Sequence, residues 1–251
     1  GDAVCRLLRF VGHEFVGDNH LGDWGTQFGL LIAGTRRLGD AARLASDPLA
    51  ELERVYKLAH AEAERDTAFA DEARAELAKL QAGDPENRER WTHFVGVSRA
   101  ALERIYARLD VHFDAWLGES AYEDMLPGVI AALTEQGIAR EDQGALCVFF
   151  DDDAALAKSP FLVRKRDGAF LYATTDIATV LYRRDHDHAD RALYVVDQRQ
   201  ALHFKQLFAT VRKLGVSMAL EHIAFGSILG ADGKPLRTRD GEVIKLGALL
   251  D

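Results

Sequence analysis

Five side chains with chemical potential gather within one short stretch of the sequence: Tyr172, Asp176, Asp197, Gln200 and His203. They would crowd the carboxyl ends of two strands, where parallel α/β folds hold their ligands. A second group lies further on, where Gly226, Gly230, Gly233 and Gly241 punctuate a loop carrying Lys234, Arg237, Thr238 and Arg239. Glycine-rich backbone bearing cations is what a phosphate clamp needs. Each group also has a structural reading. Asp197 and Gln200 fit a helix capping box, Asp176 suits the positive end of its own helix, and the glycine-rich loop suits a surface hairpin.

Two other clusters invite a metal and then argue against one. Asp151, Asp152 and Asp153 are adjacent carboxylates, but Lys158 and Arg164 to Arg166 nearby favour a charged hairpin loop. Asp185-His186-Asp187-His188 lacks the second half of any standard zinc set and reads as an exposed loop at a helix end. No G-x-G-x-x-G and no Walker A pattern occurs, so neither a dehydrogenase nor a P-loop nucleotidase is supported.

The elements that must position the first group follow a repeating pattern. Phe170-Leu171-Tyr172 is a short apolar run, and Thr174-Thr175-Asp176 starts a helix carrying Ile177, Val180 and Leu181. Ala192 to Val196 reads as a buried strand that Asp197 ends. Phe204, Leu207, Phe208, Val211 and Leu214 then mark one helix face up to Gly215. Strand, polar turn, helix, twice over, predicts a parallel α/β fold, with ligands at the carboxyl ends of the strands.

Elsewhere, Val4, Leu7, Leu8 and Val11 share a helix face near the start, and Glu14 to Asn19 predicts a strand. Leu21 to Gly25 is a tight turn whose two glycines suggest positive φ or close ligand approach, followed by a helix from Thr26 or Gln27 towards Leu38. Pro48 to about Ala82 predicts a long amphipathic helix or a pair, broken at Gly83-Asp84-Pro85. Glu86 to Leu109 predicts another helix. Val111 and Phe113 alternate as in a strand, Tyr122 to Gln136 is helical, and Leu146 to Phe150 and Leu220 to Phe225 are strands.

Composition sets outer bounds. A chain of 251 residues that is 48% hydrophobic and 28% charged can bury one substantial core, with room for an insertion. The net charge of −9 argues against a self-contained nucleic-acid binder, which would need a basic face. Cys5 and Cys147 have neither metal nor redox spacing, which suits a reducing cytoplasm. No apolar run reaches membrane length.

Four blocks in order resemble the catalytic core of the class I arginyl-tRNA synthetases: Asn19 to Gly29; Leu109 to Asp114 with Gly118 to Tyr122; Phe170 to Phe204; and His222 to Gly226 continuing through Gly233 to Arg239. Together they span nearly the whole chain. The resemblance implies a Rossmann-like parallel sheet over residues 1–251, with a mostly helical insertion at about 48–109. It places Glu119 and Asp176 around the guanidinium of arginine, and Tyr172 and Gln200 along the amino-acid pocket. His203, Phe225 and Gly226 fall on the ATP side, and Lys234, Arg237 and Arg239 in the catalytic loop.

The implied substrates are L-arginine and ATP with Mg2+, and the implied partner is tRNA(Arg), engaged mainly by domains outside this chain. The complete protein is expected to be a cytoplasmic monomer. The chain departs from the family pattern in three ways: the HIGH segment is absent, Pro235 to Arg239 stands where KMSKS is usual, and the sequence ends before an anticodon-binding domain. It therefore reads as beginning mid-domain and is expected to be inactive by itself. A non-catalytic arginine-binding relative and an unrelated α/β structural module are the alternatives.

Overall fold

Aspartates set where the helices of the first half begin. In the computed structural model, which describes residues 1–226 together with Leu246 and Leu250, the chain divides into two compact units, residues 2–118 and Glu119 onward. The first holds helices α1 (Asp2–Phe10), α2 (Thr26–Leu38), α3 (Ala41–Ser46), α4 (Pro48–Arg65), α5 (Thr67–Gln81) and α6 (Pro85–Arg108). Asp40, Asp47, Asp66 and Asp84 each accept a hydrogen bond from a backbone N–H of the helix they precede. Pro48 and Pro85 stand at the first helical position, where a missing N–H costs nothing. Asp47 ends α3 and starts α4, and Asp66 ends α4 and starts α5, so neither joint has a linker.

The core of this unit joins Trp24, Phe28, Ile32, Leu52, Leu80 and Phe94, with Ala33, Ala59, Phe69 and Ala73 beside it. Here α2 runs very close to its neighbours. A Cβ added at Gly29 would drive into the Ala73 carbonyl oxygen of α5 and come to 3.0 Å from Leu77 Cβ. One buried acid is fully engaged: Glu76 takes Arg36 Nη1 at 2.6 Å, Lys79 Nζ at 2.8 Å and Asn87 Nδ2 at 2.8 Å.

Two strands expected in this unit do not form. Residues 14–19 make a single parallel bridge, Asp18 to Ala115, and residues 111–113 make none. The reason is chemical: Asp114 Oδ2 accepts from the Gly17 N–H at 2.8 Å, and Asp18 Oδ1 accepts from the Leu117 N–H at 2.9 Å. Carboxylates take donors that a ladder would use. Of the two readings for the Gly22–Gly25 turn, positive φ is not adopted: Gly25 has φ −92° and Gly22 is not in the left-handed region.

The second unit carries the sheets. A 3-10 helix (Glu119–Met125) leads into α7 (Leu126–Glu135), followed by β1 (Ala139–Asp142), β2 (Ala145–Val148) and β3 (Phe161–Arg164). These strands pair antiparallel in the order β1-β2-β3. Gln143 and Gly144, at φ 50° and 82°, supply the two left-handed residues of the β1–β2 hairpin turn. Next come α8 (Tyr172–Asp185), β4 (Arg191–Asp197), a short 3-10 turn (Gln198–Gln200), α9 (Ala201–Lys213) and β5 (Ala219–Phe225). β4 and β5 run parallel in register from Arg191↔Ala219 to Asp197↔Phe225, with α9 as the crossover.

Phe170 forms one antiparallel bridge to Arg164 and no strand, and α8 starts two residues before the predicted Thr174-Thr175-Asp176 cluster. Thr174, fully buried in the first turn, donates its hydroxyl to the Val163 carbonyl and so ties α8 to β3. The three adjacent aspartates find partners other than Lys158 and the basic run Arg164 to Arg166. Asp151 meets Arg140, Asp152 meets Lys213 at 3.0 Å, and Asp153 accepts from the Ala155 N–H. Among the described residues no group of three or more metal-type ligands forms. Asp185 ends α8, and residues 186–188 form an exposed loop after it, with His186 stacked on Tyr182 at 4.4 Å.

Candidate functional site

Asp176 sits in the second turn of α8, and His203 in the first turn of α9. The packing of these two helices brings His203 Nε2 to 2.6 Å from Asp176 Oδ2, across 27 positions of sequence. Both side chains are mostly enclosed, at 12% and 19% exposure for His203 and Asp176. An ionised carboxylate can only accept, so the imidazole Nε2 carries the proton in this contact.

Aromatic rings hold the imidazole. Phe161 of β3 lies 5.3 Å from it, Tyr172 of α8 5.0 Å, and Phe204 5.4 Å at 81°. Phe204 in turn stacks on His222 of β5 at 4.7 Å, and His222 Nε2 lies 3.0 Å from the Val196 carbonyl oxygen. The site therefore rests on α8, α9 and three strands. Tyr172, whose ring touches His203, is itself 62% exposed and forms an open wall.

The remaining predicted residues fall as follows. Glu119, half-buried, opens the 3-10 helix that packs on α8, where the rings of Tyr122 and Tyr182 meet at 5.5 Å. Gln200 is exposed at the N-cap of α9 and makes no side-chain capping bond, so the predicted reciprocal capping box is not formed. Asp197 does cap: it accepts from the Arg199 N–H at 2.8 Å and also binds the Arg199 guanidinium. Phe225 and Gly226 are exposed at the carboxyl end of β5, and Phe225 is in register with Asp197 at the end of β4. Lys234, Arg237 and Arg239 lie outside the described residues.

Phe161 and His222 are the site neighbours that sequence reasoning did not single out. His222 had a signal, being the one polar residue within an apolar strand pattern after Glu221. Phe161 had none, since β3 is only four residues long. Chemically, the site offers an oriented anion beside an open aromatic wall, at the edge where a parallel strand pair ends. Such an arrangement can bind a planar cation.

The whole chain, residues 1–251, matches the family described as tRNA synthetases class I (R), catalytic domain. It is 46% identical over 258 residues to an arginine–tRNA ligase of Azotobacter vinelandii and 47% identical over 251 residues to one of Fusobacterium nucleatum. In both cases all of this chain is covered but only 44% of the relative, so the chain spans less than half the length of these relatives. Among solved structures it is similar to the arginyl-tRNA synthetase of Plasmodium falciparum, with a TM-score of 0.76 and 26% identity over 91% of this chain and 39% of that one. The Thermus thermophilus arginyl-tRNA synthetase shares the fold, with a TM-score of 0.68 and 21% identity over 94% of this chain and 45% of that one.

Proposed function

Because the chain belongs to the class I tRNA synthetase (R) catalytic-domain family, we propose that it forms the arginine- and ATP-handling core of an arginine–tRNA ligase. The observation that carries this reading is the enclosed Asp176 carboxylate, held by His203 beside the open Tyr172 ring. Arginine presents a planar, permanently charged fork of donors, and such a group is best met by carboxylates in its plane. Asp176 supplies one, and Glu119, on the helix packed against α8, supplies the second. Tyr172 covers a face of the guanidinium, and Gln200 at the start of α9 takes the polar end of the amino acid. Lysine would bring a compact ammonium that cannot span two carboxylates. Citrulline would leave one unpaired, a costly defect in a desolvated site.

In this reading ATP lies over the carboxyl ends of β4 and β5, against Phe225 and Gly226, and Lys234, Arg237 and Arg239 neutralise its phosphates. Mg2+ arrives coordinated to the triphosphate. The arginine carboxylate attacks the α-phosphate and pyrophosphate leaves; the arginyl-adenylate then passes its acyl group to the terminal adenosine of tRNA(Arg), with AMP leaving. Such phosphoryl chemistry depends on positioning and charge stabilisation, and no covalent nucleophile on the protein is needed. Helices α4 to α6 form a mostly helical insertion at about 48–109, and the working protein is cytoplasmic. No helix among the described residues is long and apolar enough to cross a membrane.

The test is pyrophosphate exchange by the full-length protein that carries this chain, with arginine, ATP and tRNA present. Asp176→Asn removes one charge of a desolvated ion pair, worth roughly 2–5 kcal/mol. The expected result is a large rise in the arginine KM with a much smaller change in the ATP KM. An unchanged arginine KM would count against the site, and no exchange by the parent protein would favour a non-catalytic arginine-binding relative.

A further inference from the structure

We propose that His203 is a positioning residue for the arginine carboxylate Asp176, acting on arginine binding through that side chain in place of a direct role on the ATP side. This rests on the assignment of Asp176 to the arginine site. The geometry is specific. Nε2 of His203 stands 2.6 Å from Oδ2 of Asp176, a short contact for a donor facing a carboxylate. Rings on three sides restrict the imidazole: Phe161 from β3, Tyr172 from α8 and Phe204 from its own helix. A donor so confined fixes the rotation of the carboxylate it meets.

That has two consequences for a guanidinium. With one lone pair of Oδ2 taken by the imidazole, Oδ1 is the oxygen with both lone pairs left for the substrate. The fork is then completed by a second acid, which accounts for a pairing with Glu119 over a bidentate grip by Asp176 alone. The contact also holds the plane of the carboxylate, so the direction in which it faces the substrate is set before arginine arrives.

The experiment uses the full-length protein and five variants, with arginine KM, ATP KM, kcat and thermal unfolding measured for each. His203→Leu removes the donor and keeps the bulk. It should raise the arginine KM roughly 10–100-fold, the scale of one hydrogen bond to a charged group, with the ATP KM within about threefold of the parent. His203→Gln can place an amide N–H where Nε2 stands and should recover most of the loss, whereas His203→Asn is too short to reach and should resemble His203→Leu. Asp176→Asn combined with His203→Leu should be no worse for arginine than Asp176→Asn alone, because one residue acts through the other.

A rise in ATP KM with arginine KM unchanged would overturn the proposal and return His203 to the ATP side. Failure of His203→Gln to outperform His203→Asn would also overturn it. Should His203→Leu fail to fold, the glutamine–asparagine comparison decides alone. The two readings fail differently: an Asp176→Asn variant with normal arginine KM removes the arginine site itself. A defective Asp176→Asn beside normal histidine variants removes only the positioning role.

Discussion

Gly29→Ala adds a single methyl group to α2, and its effect can be worked out from the packing. By intrinsic propensity alone the change should help, since alanine is favoured over glycine within a helix by about 0.8–1 kcal/mol. The added Cβ, however, would overlap the Ala73 carbonyl oxygen and approach Leu77 Cβ to 3.0 Å and the Ala73 carbonyl carbon to 3.2 Å. Two of those three atoms are backbone, so no rotamer change relieves the clash, and α5 must move away from α2. Overpacking typically costs about 1–3 kcal/mol, and an immovable neighbour argues for the upper end. Roughly 3 less about 1 leaves a net loss of about 2 kcal/mol, or a fall in Tm of roughly 6–12 °C for a unit of this size.

The control is Gly96→Ala on α6, where an added Cβ meets nothing within 4 Å. Only the propensity gain remains there, and stability should rise by roughly 0.5–1 kcal/mol. The readout is built in: all three tryptophans, Trp24, Trp91 and Trp116, lie in the unit of residues 2–118. Thermal unfolding followed by tryptophan fluorescence therefore reports on that unit. A Gly29→Ala midpoint equal to or above that of the parent would refute the close approach of α2 and α5.

Further expectations concern acid stability and the tie between α8 and β3. Hydrogen bonds from Arg54 draw the Glu51 carboxyl down from 4.5 to about 2 against the opposing effect of burial. For Glu76 burial opposes ionisation, but Lys79, Asn87 and Arg36 outweigh it and the pKa is again lowered. Folded-state values below the unfolded ones mean stability that is complete above about pH 4.5 and lost as pH falls towards 2. The tryptophan-monitored midpoint should therefore fall steeply below pH 4.5, and less steeply in Glu51→Gln, which is weaker at neutral pH; parallel profiles would refute the assignment. Thr174→Val keeps the shape but leaves the Val163 carbonyl without its buried donor, at a cost of about 1–3 kcal/mol. Far-ultraviolet dichroism on heating should show the loss, and an unchanged transition would place the Thr174 hydroxyl elsewhere.

Most of the helices were legible because their boundaries are written in local chemistry, although α3 (Ala41–Ser46) was not anticipated. Asp47-Pro48 and Asp84-Pro85 combine a side-chain cap with a residue that fits only the first turn, and α4 and α6 begin there. β4 was legible as a continuous apolar run and β5 as an apolar pattern broken by Glu221 and His222, and each lies within one residue of expectation. β1 was not, because Ala139–Asp142 is polar and its pairing is imposed by the Gln143–Gly144 turn. The failed strands at 14–19 and 111–113 show the opposite effect, where alternation was present but aspartate side chains displaced the ladder. In the site, residue types could be read directly, but the Asp176–His203 contact could not. It depends on how α8 packs against α9, which no local pattern encodes.

The joints at Asp47 and Asp66 bear on how this protein can change over evolutionary time. Each is a single residue that terminates one helix and initiates the next. A surface loop absorbs an inserted or deleted residue by bulging, but these joints have no slack in which to do so. Removing one residue after Asp66 would turn α5 by about 100° relative to its cap. Phe69, Ala73, Glu76 and Leu80 would swing away from the core they now face. Length variation among homologues should therefore collect at Gly83, where φ is +86° and an added Cβ meets nothing within 4 Å, and leave the two aspartate joints at constant length.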